Sequence, residues 1–355
     1  MVVRHLSLVD GGLAGQVPSA AGPASQTDPW VFQEECAQAF AVTWTVRGFA
    51  PSTIRCYASL LARMPGCFDR PVWEVGPDEV DAMVRTLVVA GRAPGTRRAY
   101  VQALRSFLEF LRERRQNQIL AWFGVRVGDP VDRFNRSRHT AEGSPLVGAP
   151  PTAGRLEDFF AFARHQVAVA PDYRAAARDY ALLRTLYRAA LRVGETVRLE
   201  CCDVHLRQGL SGRLHVRFGK AANTSGPRPR WTPMLDGLEQ ILAWYLADIR
   251  PLFPDTPVLF PDPSGAPLKP EAVRDRLARL LDLEDRPAPE RFTPHTLRRA
   301  CATHQYEQGM DLIAVQQLLG HRHIASTMAY VKPSARFAED AWQRATVAAV
   351  ADLAG

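Results

Sequence analysis

Six residues in the second half of the chain have side chains that could together break a phosphodiester. They are Arg192, Lys220, His295, Arg298, His321 and Tyr330. A tyrosine hydroxyl is a nucleophile once its proton is removed, and planar guanidinium groups suit the charge that develops on phosphate oxygens. Lysine or histidine can protonate a leaving oxygen, which arginine cannot do near neutral pH. The residue types therefore predict phosphoryl transfer to Tyr330. Because arginines supply the positive charge, we expect no metal and no other cofactor.

Each of these residues also has a structural explanation when it is taken alone. Arg192 could end a helix, His295 could cap one, and His321 could belong to a tight turn after Gly320. Most tyrosines pack in cores, and a lysine near a hairpin turn usually serves solubility. The functional interpretation rests on the combination of residue types, order and spacing.

The bulk composition restricts the partner and the compartment. The 355 residues carry a formal charge of +7, which suits a polyanion but is weak evidence alone. The only lysines are Lys220, Lys269 and Lys332, so each is worth locating, and Lys269 is the alternative proton donor. We find no signal peptide, no membrane-spanning run and no cysteine pattern for metal or disulfides, which favours the reducing cytoplasm.

Composition shifts predict five segments along the chain. They are a disordered leader (1–29), a helical domain (30–127), a Pro- and Gly-rich linker (128–154), a second domain (155–335) and an apolar tail helix (336–355).

Within the helical domain, Ser52 is a candidate helix cap, and a second helix is predicted from about residue 96 to 115. On that helix Arg98, Arg105 and Arg112 recur at heptad spacing and form one stripe. The stripe could be a solvated face or a set of phosphate contacts.

The second domain mixes two periodicities. Helical patterns cover 156–201, 235–249, 271–281, 296–308 and 312–319, whereas 213–218 and 228–233 read as a hairpin. The sequence thus predicts a mainly α protein with a small β-hairpin or sheet.

From about Leu183 to Tyr330 the chain resembles the catalytic domain of the tyrosine recombinase family, of the phage integrase and Xer type. The resemblance rests on Ala190-Leu-Arg192-Val-Gly-Glu195, His295-Thr-Leu-Arg298, Leu319-Gly-His321 and Tyr330. More weakly, the first domain resembles the family's helical core-binding (SAM-like) DNA-binding domain. The resemblance implies a mixed α/β catalytic domain after it.

The resemblance also implies roles for these residues. Arg192 and Arg298 would hold the scissile phosphate, with Glu195 supporting the first arginine, and His321 would hydrogen-bond the phosphate. His295 would assist proton transfer at the nucleophile, Lys220 would protonate the 5′ oxygen, and Tyr330 would become a 3′-phosphotyrosine.

The implied partner is double-stranded DNA carrying specific recombination sites. The implied assembly is a homo-tetramer on DNA formed through the C-terminal tail, with or without a second recombinase, and no ATP is needed. Two departures stand out: Arg299 occupies a position that is usually histidine, and the hairpin turn that begins at Lys220 is long and Pro-rich.

Three other functions are compatible with parts of this sequence. A metal-dependent phosphodiesterase would use the clustered His295, Cys301, His304, His321 and His323, but their spacing matches no zinc pattern. A DNA-binding relative without catalysis and a type IB topoisomerase-like enzyme would carry the same residues. The first would bind DNA without cutting it, and the second would nick and reseal one strand without exchanging it.

Overall fold

The structure is a computed structural model that describes residues 28–136, 149–219, 229–287 and 290–354. The chain forms two compact units, one up to Leu146 and one from Val147. Within the described ranges, no helix is both long and apolar enough to cross a membrane.

The first unit is helical. Its helices are α1 (Pro29–Val46), α2 (Pro51–Arg63), α3 (Pro77–Val89), α4 (Pro94–Arg114) and α5 (Gln116–Phe123), with short 3₁₀ turns at Met64–Cys67 and Val72–Glu74. The first four helices each begin with proline, whose fixed φ and missing N–H suit the first helical position.

Two predicted boundaries of this unit differ from the structure. The predicted cap Ser52 lies inside α2, which begins at Pro51 with Ala50 before it. Asp28 caps α1 by accepting a hydrogen bond from the Trp30 backbone N–H at 2.8 Å, so Pro29 is helical rather than part of a leader. The rest of the predicted leader, residues 1–27, lies outside the described residues.

Aromatic side chains dominate the core of the first unit. The Phe40 ring contacts Trp44 edge-on with 5.2 Å between centroids, and it packs against Phe107 of α4 at 5.6 Å. Leu104, Leu108 and Leu111 are fully buried on the same face of α4. Burying a side chain of this size contributes roughly 1.5–3 kcal/mol. Because α4 packs against α1, α2, α3 and α5, it is the central helix of this unit.

The second unit holds nine helices in its described parts and one small sheet. The helices are α6 (Ala153–Val169), α7 (Tyr173–Arg188), α8 (Val193–Thr196), α9 (Leu238–Trp244), α10 (Pro270–Leu283), α11 (Pro294–Glu307), α12 (Leu312–Leu319), α13 (Ile324–Tyr330) and α14 (Ala335–Ala354). Helix α9 continues as one π-helical segment, Tyr245–Ile249.

The sheet is antiparallel with the order β1 (Val204–His205), β2 (Arg213–Val216) and β3 (Arg230–Pro233). The predicted hairpin is confirmed as β2 and β3, whereas β1 is too short for its alternation to be read from the sequence. Leu214 pairs with Thr232 and Val216 with Arg230, which places these four residues on one face of the hairpin.

Helix α11 lies in the core of the second unit and is buried on nearly all sides. Its buried residues include the polar Arg298, Thr303 and His304 as well as Leu297 and Ala300. A buried polar group needs a partner, so the polar residues of α11 mark places where this helix is tied to its neighbours.

Candidate active site

Arg298 lies in the first turns of α11. Thr293 caps this helix by accepting a hydrogen bond from the Thr296 N–H at 3.2 Å. The Arg298 side chain is completely buried, and its guanidinium donates to the Ala190 carbonyl at 2.5 Å and to the Leu319 carbonyl. Burial and the charge of Arg192 lower the pKa of Arg298 to about 9, so it stays charged at neutral pH.

The Ala190 carbonyl reaches Arg298 through an unusual backbone turn. Ala190 has a φ of 50°, in the left-handed region, which costs a non-glycine residue about 1–2 kcal/mol. The turn connects α7 to α8 and places Arg192 at the N-cap of α8. Arg192 therefore precedes a helix, which corrects the interpretation of it as a residue late in one.

Glu195 fixes the orientation of Arg192. It stands at the third position of α8, where one carboxylate oxygen accepts the Arg192 backbone N–H at 2.9 Å. The other oxygen accepts Nη1 of Arg192 at 2.7 Å, and Nη1 of Arg298 lies 3.5 Å from the carboxylate. Glu195 thus contacts both arginines that the sequence predicts to bind phosphate.

Arg230 is a further arginine of this site, and the sequence reasoning missed it. From β3 it donates two parallel hydrogen bonds to Glu195, at 3.0 and 2.9 Å. Burial raises the pKa of Glu195, but the hydrogen bonds and charges of Arg230, Arg298 and Arg192 outweigh it and lower the pKa to about 2. Three cations around one anion leave a net positive site, suited to an anionic ligand.

His321 follows the left-handed Gly320, which ends α12 as predicted. Its Nε2 lies 3.4 Å from Nη2 of Arg298, and its Nδ1 lies 3.1 Å from the hydroxyl of Thr327. Burial, together with the charges of Arg298 and Arg192, lowers the pKa of His321 to about 4, so its imidazole is neutral at pH 7.

Tyr330 ends α13 and lies against these groups. Its ring is 4.7 Å from that of His321 and 5.2 Å from that of His295, measured between centroids and edge-on in both cases. The Arg298 guanidinium carbon is 5.9 Å from the Tyr330 ring centre. The structure thus brings Tyr330, His295, His321, Arg298 and Arg192 together in one unit.

His295 is the most exposed member of this group, in the first turn of α11. Desolvation, followed by the charges of Arg298 and Arg299, lowers the pKa of His295 below its ordinary value. A neutral imidazole beside a tyrosine ring can accept a proton from it.

The structure describes only one of the two lysines that are candidate proton donors. Lys220 falls in 220–228, outside the described residues. Lys269 stands exposed at the N-cap of α10, and its ammonium makes no hydrogen bond or ion pair with any described residue. No contact joins Lys269 to Tyr330 or Arg298, so Lys220 remains the predicted donor.

The arginine stripe of α4 is not uniform. Arg112 donates to the Gly128 carbonyl at 2.7 Å, so it is engaged within its own unit. Arg98 and Arg105 are half-buried, and within the described ranges neither makes a hydrogen bond or ion pair through its side chain.

The clustered histidines do not converge on a metal site. His304 is buried, with Nδ1 2.8 Å from the Tyr187 hydroxyl and Nε2 3.1 Å from the Pro151 carbonyl, so both ring nitrogens are engaged. Cys301 is buried, and burial raises its thiol pKa to about 12. Among the described residues, no three His, Cys, Asp or Glu side chains are grouped to hold a metal ion.

Comparison with known proteins gives consistent matches. The phage integrase family model matches residues 162–336. Tyrosine recombinase XerC of Methylobacterium nodulans is 30% identical over 309 residues, which cover 84% of this chain and 88% of that protein. Tyrosine recombinase XerD of Staphylococcus aureus is 36% identical over 160 residues, or 44% of this chain and 50% of that one.

Solved structures show the same fold. The XerH site-specific recombinase, in a post-cleavage complex with its palindromic difH substrate, matches with a TM-score of 0.64 and 19% identity. That match covers 85% of this chain and 80% of XerH. The Tn1549 transposon integrase in complex with transposon right end DNA matches with a TM-score of 0.62 and 17% identity, covering 87% of this chain and 98% of the integrase.

The XerC match extends over most of both chains, and the motifs that carry the sequence resemblance meet around Tyr330. The chain therefore belongs to the phage integrase family and is a tyrosine-type, site-specific DNA recombinase. The predicted fold class, mainly α with a small sheet, is confirmed with it.

Proposed function

We propose that Tyr330 attacks a DNA phosphodiester held by Arg192 and Arg298, and that the resulting phosphotyrosine is resolved by a second DNA strand. The observation that carries this proposal is the position of the Tyr330 ring, beside His321 and over the Arg298 guanidinium. A phosphate bound to these arginines would lie within reach of the tyrosine hydroxyl.

Each step conserves atoms and charge. The Tyr330 oxygen forms a bond to phosphorus while the bond to the 5′ oxygen breaks, which leaves a 3′-phosphotyrosine and a free 5′ hydroxyl. His295 takes the phenol proton, and Lys220 gives one to the departing oxygen. A 5′ hydroxyl from another strand reverses these steps, and since the ester bond is retained no ATP is consumed.

Charge around the site supports phosphate as the ligand. Glu195 carries one negative charge against the three guanidinium groups around it, so the site keeps a net positive charge that attracts the nonbridging oxygens. His321, neutral at pH 7, can add a hydrogen bond to the same phosphate.

We further propose that the first unit is the core-binding domain (30–127), joined by the linker (128–154) to the catalytic domain (155–335). Arg98 and Arg105 would contact phosphates of the duplex, and Arg112 less so because it is held by Gly128. The DNA-bound XerH and Tn1549 integrase support DNA as the partner.

The tail helix α14 is proposed to join four copies on two DNA sites. Trp342 on this helix is 70% exposed, which is unusual for the largest apolar side chain and favours a protein partner. Such a protein would act on chromosomal or mobile-element DNA in the cytoplasm, alone or with a second recombinase.

Covalent capture tests the proposed activity directly. A duplex that binds the protein is first selected from a randomised library, then nicked near the protected centre so that the broken strand diffuses away after cleavage. We expect a denaturant-resistant, EDTA-insensitive protein–DNA adduct with the native chain and none with Tyr330→Phe, at nearly equal DNA affinity.

The same experiment separates the alternatives. Tight binding without an adduct would support a DNA-binding relative that lacks catalysis. An adduct accompanied by relaxation of plasmids that lack the selected site would support a type IB topoisomerase-like activity. Loss of the adduct in EDTA would indicate a metal-dependent enzyme and contradict the proposal.

A further inference from the structure

Arg230 occupies a position that no catalytic role yet explains. Its side chain is 13% exposed, and its two terminal nitrogens pair with the two oxygens of Glu195 in the parallel arrangement that arginine alone among the cationic side chains can form. The Glu195 side chain is itself only 3% exposed, so this pair is shielded from water and salt.

The Arg230–Glu195 pair determines which hydrogen-bond donors of Arg192 are left for a ligand. Because Arg230 takes a position on each Glu195 oxygen, the carboxylate binds Arg192 through a single terminal nitrogen at 2.7 Å and its backbone N–H. The Arg192 side chain is 27% exposed and keeps its other donors for a ligand. Without Arg230, each oxygen of this buried carboxylate would lose one partner and could draw the guanidinium of Arg192 or Arg298 closer.

Arg230 also supports the turn that carries His321. A Cβ built on Gly320 would lie 2.8 Å from Cδ of Arg230 and 3.0 Å from its Nε, so the arginine side chain runs directly beneath this residue. Gly320 has a φ of +63°, which a glycine adopts without strain. The position thus needs glycine for conformation and for the closeness of Arg230.

We propose that Arg230 is a positioning residue of the recombination site: it clamps Glu195, and it supports the Gly320–His321 turn. This rests on the proposed function of Arg192, Arg298 and His321 as phosphate ligands. Arg230 opens β3, directly after the segment that contains Lys220, and pairs with Val216 of β2. Through its pair with Glu195, Arg230 therefore links β3, which follows the predicted proton donor, to the phosphate-binding arginines.

The test compares single-turnover cleavage of the selected nicked duplex by the native chain and by Arg230→Ala. We expect cleavage to slow by about 100-fold, the loss that a displacement of roughly 1 Å can cause, with DNA affinity changed by less than about 3-fold. Arg230→Lys keeps the charge and most of the volume without the paired hydrogen bonds, so it should recover only a small part of the rate.

Arg217 provides a matched control. It follows β2 on the same sheet and pairs with two carboxylates, Glu200 and Asp203, each at 2.8 Å, but it touches none of the site residues that the structure describes. Arg217→Ala removes a comparable ion pair and should leave the cleavage rate unchanged. Thermal unfolding of both variants shows whether they lose similar stability.

A pH profile separates positioning from a merely structural role. Among the residues that the structure describes, the charged groups that face Glu195 are Arg192, Arg298 and Arg230, with His321 nearby. In the native chain Glu195 stays ionised well below pH 5. Arg230 is the strongest of the influences that lower the Glu195 pKa, so removing it should raise this pKa, although Arg298 and Arg192 still lower it. Arg230→Ala should therefore lose further cleavage activity as the pH falls, more steeply than the native chain does.

A double variant completes the test. If Arg230 acts mainly through Glu195, the cleavage rate of Arg230→Ala with Glu195→Gln should be close to that of Glu195→Gln alone. Additive losses would overturn the clamping role, and a rate for both Arg230 variants within about 3-fold of the native chain would overturn the inference as a whole. Failure of the native chain to cleave would instead contradict the proposed function.

Discussion

The hydroxyl of Thr327 lies 3.1 Å from Nδ1 of His321, and Thr327 is three residues before Tyr330 on α13. Opposite, His321 Nε2 faces an arginine nitrogen, which can only donate, so with no ligand bound Nε2 accepts and Nδ1 carries the proton. If a phosphate oxygen binds at Nε2, Nε2 must carry the proton and donate it, and Nδ1 must become the acceptor. The Thr327 hydroxyl can both accept and donate, so it can serve either tautomer.

Thr327→Val should therefore impair cleavage while preserving shape. Valine fills the same volume but cannot pair with Nδ1, so we expect cleavage to slow by roughly 10- to 100-fold and stability to fall by about 1 kcal/mol. Single-turnover cleavage and denaturant unfolding measure the two effects.

Thr185→Val is the control for this variant, because Thr185 is equally buried and donates only to the Ala181 carbonyl within α7. It should lose similar stability and keep its cleavage rate. Equal rates for Thr327→Val and the native chain would show that Thr327 is a packing residue.

Stability should fall when the pH is lowered from 7 towards 4. The folded pKa of His321 is about 4 and that of His304 is also lowered, whereas unfolded histidine titrates near 6.5. Between these values the unfolded chain binds the extra protons, so the stabilisation is complete above about pH 6.5 and is lost as the pH falls.

Denaturant unfolding across this pH range measures the effect, and His321→Gln should make the dependence shallower. For partly exposed His321 the slope should be well below the limit of about 1.4 kcal/mol per pH unit for one proton. A variant with the same slope as the native chain would contradict the assignment to His321.

Tyr187→Phe should lower stability without lowering the cleavage rate of the folded protein. The change removes the partner of the buried His304 Nδ1, and an unsatisfied buried polar atom costs about 1–3 kcal/mol. Urea unfolding checks the loss. An unchanged midpoint would mean that the hydrogen bond contributes nothing, and a slower cleavage rate would place His304 in the site.

Arg98 and Arg105 should contribute to DNA affinity through charge alone. Changing either to alanine should weaken binding to all sequences alike and reduce the slope of log K against log salt by about 1. Arg85→Ala, at an exposed position of α3 outside the stripe, is the control and should leave the slope unchanged. Arg112→Ala should change the slope less than the other two stripe variants because Gly128 holds its guanidinium. Unchanged slopes for Arg98 and Arg105 would support the solvated-face interpretation.

The sequence predicted those parts of the site that depend on short-range pattern. The helical pattern begins at 296 whereas the helix begins at Pro294, so His295 and Arg298 share its first turns. Gly320 ends α12 directly before His321, as the local pattern predicts. Helix α14 follows from its apolar content in the same way.

Arg230 and Thr327 could not be recognised from short-range patterns. The partner of Arg230, Glu195, lies in a distant segment, and the partner of Thr327, His321, is brought to it by a turn. One signal existed for Arg230. It alternates with exposed Trp231 and shares the core-facing side of β3 with Thr232, and a cation at such a position implies a buried anion. The strand β1, with only two residues, carried no comparable signal.

The nucleophile is tested most directly by identifying the residue that becomes attached to DNA. The adduct is digested with nuclease and protease, and the peptide that carries residual nucleotide is sequenced by mass spectrometry. We expect the nucleotide on Tyr330 alone. Attachment to another tyrosine or to a serine would contradict the assignment of Tyr330 as the nucleophile.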